Sequence, residues 1–309
     1  MEKTAFFFID DVIWCLRDIA REEPKSIFDN PFLKMLKKGH DNYGMTVQLN
    51  LFYRTDFFYG EPEEFTLSQM PDTYKSEFEE SSSWLKFAFH AKQEFPDYPY
   101  VNISYETAKQ NYMEIANEVK RFAGEKSFSD ATVLHWGAMS KEGCRALKDC
   151  GLKFLSPSVG KRTEFTGDDS VLPYGHAARL RQSRKPETML FVRDTLDKRI
   201  VSSICSYNYI NEEQQKSIVG KNVSIADAGT GLLYKRIGSG CCINTHNMEQ
   251  LKDKLTKLCD NDYIGVANHE QYFYPDYYAY QSDYADKIYY MAKFLTDKGY
   301  RFITSEEFK

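Results

Sequence analysis

The chain has 309 residues, a net charge of −5, and 42% hydrophobic and 15% aromatic content. That length can bury a core as one large α/β barrel or as two smaller domains, and the acidic balance excludes a nucleic-acid footprint, which needs a basic face. No run reaches the roughly twenty apolar residues of a membrane span, and the first apolar run is too short, and too soon broken by acids, to be an export signal.

An apolar run, Phe6-Phe7-Phe8-Ile9, begins the chain and ends abruptly on Asp10-Asp11. Continuous apolar residues bounded by acids predict a parallel strand buried on both faces. Helical spacing follows from Val12 to Glu23, where Pro24 stops it, and Asn30-Pro31 caps a second helix over Phe32 to His40. Met45 to Tyr53 alternates and is β-branched, which predicts a strand; a helix is expected around Asp72 to Ser82, then the strand Leu85 to Phe89 ending on His90. Ser104 begins a long helix to Phe122, Thr132-Val133-Leu134 is a strand ending on His135-Trp136-Gly137, Lys141 to Cys150 is a helix, and Leu152 to Leu155 a strand. This alternation means a parallel sheet with helical crossovers.

The rhythm lapses between about residues 156 and 238, where Met189 to Val192 and Val201 to Cys205 suggest a hairpin. So long a stretch is expected to be a structured insertion over one rim. The alternation then resumes. Cys241 to Thr245 is a strand ending on His246, Asn247 caps a helix through Leu258, and Tyr263 to Ala267 is a strand ending on Asn268-His269-Glu270. Tyr280 to Thr296 is the last helix and Tyr300 to Thr304 the last strand. The count of about seven or eight βα units predicts an α/β fold, a single distorted TIM-like (β/α)7-8 barrel over residues 1–309.

Asp10, Asp11, His90, His135, His246 and His269 all follow predicted strands, and in a barrel every such end lies on one rim. Carboxylate and imidazole groups together suit a divalent metal, with zinc, cobalt, nickel, manganese or iron all possible from the donor types. Two adjacent acids allow one to bind the metal while the other acts as general base through a water. Either acid alone also suits a helix N-cap. The seven cysteines, Cys15, Cys144, Cys150, Cys205, Cys241, Cys242 and Cys259, form no CxxC pair and are odd in number, which points to reduced thiols and a cytoplasmic protein.

The rim pattern resembles the polysaccharide deacetylases (NodB-homology carbohydrate esterases), which are distorted (β/α) barrels carrying a metal. Their first motif, Thr-Phe-Asp-Asp-Gly, is similar to Phe8-Ile9-Asp10-Asp11-Val12, which implies Asp10 as base and Asp11 as metal ligand. Their His-Ser/Thr-x-x-His motif is similar to His90-Ala91-Lys92-Gln93-Glu94, with Glu in place of the second His, so the implied ligands are Asp11, His90 and Glu94. The Arg-x-Pro-x-Gly motif falls on Val133 to Gly137, where only Gly137 matches and the base-orienting arginine is missing; His135, Arg179 or Arg181 are candidate substitutes. Leu-x-His is similar to Ala267-Asn268-His269, which implies His269 as general acid.

The resemblance implies hydrolysis of an N- or O-acetyl group on a sugar, with a divalent metal, zinc foremost. His135, Trp136, Tyr98 and Glu270 are expected to contact the carbohydrate, as flat aromatic faces and polar tips do. Two other functions fit the same rim. A glycoside hydrolase would pair Asp10 with Glu94 or Glu270 and need no metal. A non-catalytic carbohydrate-binding protein would account for the missing arginine. Neither a nucleic-acid nor a membrane partner is expected, and the oligomeric state is left open.

Overall fold

β1 (Thr4–Val12) is buried at all nine positions, as a parallel strand covered on both faces must be. The computed structural model describes residues 2–55, 65–94, 99–100, 103–137, 139–156, 212–277 and 279–309. Along the chain, β1 is followed by β2 (Val47–Phe52), β3 (Leu85–Ala91), β4 (Ala131–Val133), β5 (Phe154–Ser156), β6 (Ile225–Ala226), β7 (Leu233–Tyr234), β8 (Cys241–Cys242), β9 (Tyr263–His269) and β10 (Arg301–Phe302). The helices are α1 (Trp14–Glu22), α2 (Pro31–Tyr43), α3 (Lys75–Ser81), α4 (Tyr105–Phe122), α5 (Lys141–Asp149), α6 (Glu212–Ile218), α7 (Met248–Leu258) and α8 (Tyr284–Asp297).

One sheet runs β3-β2-β1-β9-β8, all parallel, and β10 joins β1 below β2 on the same edge. A second sheet runs β4-β5-β7-β6, parallel except for the β6–β7 pair. Two seams curl them toward each other. Ser129 N donates to Phe87 O at 2.7 Å, and the Thr132 hydroxyl donates to Phe89 O. On the far side Ser239 N donates to Gly265 O at 2.8 Å. A side chain at Gly265 would overlap the Ile237 carbonyl, so the second seam depends on this glycine. The result is a distorted β/α barrel.

Side-chain alternation along β1 divides the core in two. Phe6 and Phe8 point inward and pack with Ala131, Phe154, Tyr263 and Phe308. Phe7 and Ile9 point outward against a helical layer that includes Leu16, Leu36, Ile115, Leu255 and Ile288. Each buried Phe contributes about 1.5–3 kcal/mol. Above the aromatic floor the interior turns polar, with Gln48, Asn50, Asp10 and His90 all buried. In the floor, Lys235 is fully buried. Its Nζ donates to Asn222 Oδ1 at 2.7 Å and lies 4.6 Å over the Tyr263 ring and 4.8 Å over that of Phe308.

The caps anticipated from sequence hold: Asn30 Oδ1 accepts from Phe32 N and Leu33 N, Ser104 caps α4, and Asn247 caps α7 in a reciprocal box with Gln250. Each such cap is worth about 1 kcal/mol. The expected strand Cys241 to Thr245 is shorter, because Ile243–Thr245 tightens into a 3-10 turn. His246 therefore leaves the rim: its Nδ1 meets Cys242 O at 2.8 Å. The strand expected at Leu152 to Leu155 runs instead over Phe154–Ser156. The parallel pairing of β7 with β5 brings the barrel's rhythm back before residue 238. The hairpin expected at Met189 to Cys205, with Arg179 and Arg181, lies outside the described residues.

Candidate metal centre

In a regular strand two successive side chains point to opposite faces, so Asp10 and Asp11 should not meet. Asp11 has a φ of 61°, and the β1–β2 register shifts between Ile9 and Val12. This left-handed residue, which costs about 1–2 kcal/mol relative to an ordinary one, turns Asp11 inward beside Asp10. Both acids then face His90. Its Nε2 is 3.1 Å from Asp11 Oδ1 and its Nδ1 is 3.7 Å from Asp10 Oδ1. A second left-handed turn, Trp136 at φ 61° and Gly137 at φ 68°, follows His135 at the end of β4, and His135 Nδ1 reaches 3.3 Å from the same Asp11 oxygen.

The tautomers follow from the outer hydrogen bonds, because a backbone carbonyl can only accept. His90 Nδ1 donates to Val133 O at 2.6 Å, and His135 Nε2 donates to Glu94 O at 2.9 Å. Both remaining nitrogens, His90 Nε2 and His135 Nδ1, face inward 3.3 Å apart. Two lone pairs so placed repel unless a cation or a proton lies between them. Asp11, His90 and His135 are all buried and offer one oxygen and two nitrogens, all within 4.8 Å of one another. This donor set, with its far nitrogens anchored on carbonyls, fits a borderline divalent cation such as zinc, cobalt or nickel.

The charges agree. Burial pushes the Asp10 carboxyl up to about 6 against the opposing pull of His90. Burial would raise Asp11 too, but the imidazoles of His135, His269 and His90 beside it hold it well below the usual carboxylate range. Burial would lower His90, yet the two aspartates lift it to about 9 when no cation is there. A carboxylate that stays ionised beside a partly protonated neighbour is the division of labour a base and a ligand need.

His269 reaches the group from β9, with Nε2 3.9 Å from Asp11 Oδ2. Its Nδ1 lies 2.9 Å from Asn244 Oδ1, an acceptor that also takes the Cys242 thiol at 2.9 Å. Nδ1 therefore carries the hydrogen and Nε2 faces the site. Glu94 is buried behind His135, its carboxylate 3.5 Å from His135 Nε2. The resemblance put Glu94 among the ligands and His135 on the substrate; the geometry sets His135 beside Asp11 and His90, with Glu94 outside them. Glu270 faces away from the cluster. Its oxygens accept from the backbone N–H groups of Ile13, Trp14 and Cys15 at 2.7–2.8 Å, so it caps α1. Trp136 stays at the rim, its ring 5.6 Å from that of His135. Tyr98 lies outside the described residues.

Asn50, Gln48 and Asn244 escaped the reading of the sequence. Asn50 Nδ2 donates to Asp10 Oδ1 at 2.6 Å. A signal existed: in Val47-Gln48-Leu49-Asn50-Leu51 the polar residues alternate, and a strand flanked by parallel neighbours has no solvent face to send them to.

No protein-family profile matches the sequence, and no curated protein does. Solved structures do. The 4-alpha-glucanotransferase from Thermococcus litoralis aligns at a TM-score of 0.54 and 10% identity, over 99% of this chain and 40% of that one. A candidate polysaccharide deacetylase from Mycobacterium smegmatis aligns at 0.48 and 12% identity, over 99% of this chain and 89% of that one. The Xyl-CE4 domain of a multidomain xylanase from the hindgut metagenome of Trinervitermes trinervoides aligns at 0.42 and 11% identity, over 99% and 89%. At such identities the likeness is one of fold: the chain shares the distorted β/α architecture expected from its strand order.

Proposed function

We propose that the chain is a metal-dependent hydrolase that removes acetyl groups from an N- or O-acetylated sugar or oligosaccharide. The observation that carries this reading is the convergence of Asp11, His90 and His135 on one point with a second, separately held carboxylate, Asp10, beside them. Asp11, His90 and His135 would hold a divalent cation, zinc foremost. When bound, such a cation supplies Lewis acidity toward an acyl oxygen and lowers the pKa of a water. Asp10 would take a proton from the attacking water, which suits a carboxyl raised to about 6. His269, its Nδ1–H fixed on Asn244, would act as the imidazolium, giving its Nε2 proton to the leaving amine or alcohol and remaining as the neutral Nδ1–H ring. Trp136 and Tyr98 would stack on the sugar.

The reading extends to the setting. Among the described residues no helix is long and apolar enough to cross a membrane, and no two described cysteines are joined in a disulfide. Seven cysteines, odd in number and without a CxxC pair, favour the cytosol, and with it a small or imported acetylated saccharide rather than an external polymer. The test is metal content and acetate release from an acetylated chito-oligosaccharide, for the wild type and His90→Ala. We expect bound metal and chelator-sensitive acetate release in the first and neither in the second. A wild type that stays metal-free after purification from metal-replete cells would sink the mechanism.

A further inference from the structure

The polar part of the barrel interior contains a directed chain of amides that no step above uses. Gln48 and Asn50 sit two residues apart on β2, so both side chains face inward, and they are 1% and 0% exposed. Gln48 Nε2 donates to the backbone carbonyl of Ala131 at 3.1 Å and to Asn50 Oδ1 at 2.8 Å. Asn50 Nδ2 in turn donates to Asp10 Oδ1 at 2.6 Å.

Each link fixes the next. A carbonyl oxygen accepts only, so Ala131 decides which end of the Gln48 amide is nitrogen. That nitrogen decides that Asn50 presents its oxygen to Gln48 and its nitrogen to Asp10. Gln48 Oε1 is buried with no partner among the described residues. The pair is therefore not arranged to complete its own hydrogen bonding, as buried amides ordinarily do; it is arranged to deliver a donor to Asp10. With Oδ1 so engaged, the Asp10 carboxylate cannot rotate freely, and the same oxygen lies 3.7 Å from His90 Nδ1.

We propose that Gln48 and Asn50 are positioning residues, an amide relay anchored on the Ala131 carbonyl that holds the Asp10 carboxylate in place against the Asp11–His90–His135 cluster. This rests on the reading of Asp10 as the base, and it gives this chain a device for orienting that base from β2.

The test compares Asn50→Leu, Asn50→Asp, Gln48→Leu and the Asn50→Leu/Gln48→Leu double variant, by crystal structure, cobalt affinity, and kcat and KM on an acetylated chito-oligosaccharide. In N50L the Asp10 carboxylate should rotate from its wild-type position, and kcat should fall about a hundredfold while KM and cobalt affinity stay within about twofold. Q48L should cost about tenfold, and the double variant should be no worse than N50L, since Gln48 acts only through Asn50. N50D keeps the shape but turns an acceptor toward Asp10, so it should be as harmful as N50L, whereas a packing role would leave it near wild type. Should N50D fail to fold, N50L and Q48L carry the test. An unmoved Asp10 in the N50L crystal structure, or losses from Q48L and N50L that multiply, would overturn the relay. If the wild type releases no acetate the functional reading fails, and the position of Asp10 in the variants still decides the relay.

Discussion

The two ends of the barrel interior bury charge by opposite means. At the rim, Asp10, Asp11, His90 and His135 lie within hydrogen-bond or ion-pair reach of one another, with backbone carbonyls behind the imidazoles. At the floor one ammonium, Lys235, is enclosed by Tyr263 and Phe308 and has no carboxylate partner among the described residues, while a second buried lysine, Lys86, reaches out to the exposed Glu306 at 2.7 Å. The rim concentrates opposing charges around one point and bends β1 out of regular geometry to do so. The floor keeps regular alternation and fills its space with rings, using aromatic faces and the Asn222 carbonyl to soften one cation. Strain and charge pairing collect at the rim, whereas aromatic packing dominates the floor.

That contrast breaks most readily at the rim. His135→Ala should lose cobalt binding as completely as His90→Ala, by titration of the visible absorption of the cobalt form. Glu94→Gln should weaken it by only about tenfold to a hundredfold, the effect of an orienting group. Equal and complete loss in Glu94→Gln would return Glu94 to the ligand set. The floor should behave as pure packing. Phe6, whose ring lies 4.8 Å from that of Phe308, should cost about 3–5 kcal/mol of unfolding free energy on Phe6→Ala, with cobalt affinity unchanged. A loss of affinity there would show that the two ends are coupled.

The smallest effect concerns Lys235. Burial pushes its ammonium down to about 7, against about 10.4 in an unfolded chain. Between those values the unfolded state binds more protons than the folded one, so stability rises as pH rises from about 7 to about 10, by at most about 1.4 kcal/mol per pH unit. Below about 7 both states are protonated and the slope vanishes. Lys235→Met should flatten this window in denaturant melts at pH 7, 8 and 9. An unchanged slope would mean that the aromatic faces keep the lysine charged.

Much of the fold could be read from residue order. Phe6 to Ile9 as a buried strand, the caps at Asn30, Ser104 and Asn247, and the return of alternation near Tyr263 are local signals, set by side-chain period and by backbone groups within a few residues. The site was legible as a set of strand-end residues, because parallel strands with helical crossovers deliver their C-terminal ends to one rim. Several of its assignments were not. His246 follows a predicted strand as His90 and His135 do, but a 3-10 turn removes it, and nothing local distinguishes the three. Glu270 stands next to His269 yet serves the N-terminus of α1, some 250 residues away in sequence.

The sequence by itself determined that Asp10 and Asp11 close a buried apolar run and that imidazoles follow other strands. It determined no more because each of those facts is a matter of spacing along one segment. Only the tertiary structure decided that Asp11 leaves the regular strand path to face inward, that His135 rather than Glu94 stands beside it and His90, and that Asn50 reaches Asp10. Those outcomes depend on how far apart strands lie and on which backbone carbonyl each ring nitrogen meets, quantities fixed by the curling of two sheets into one barrel and by no single stretch of the chain.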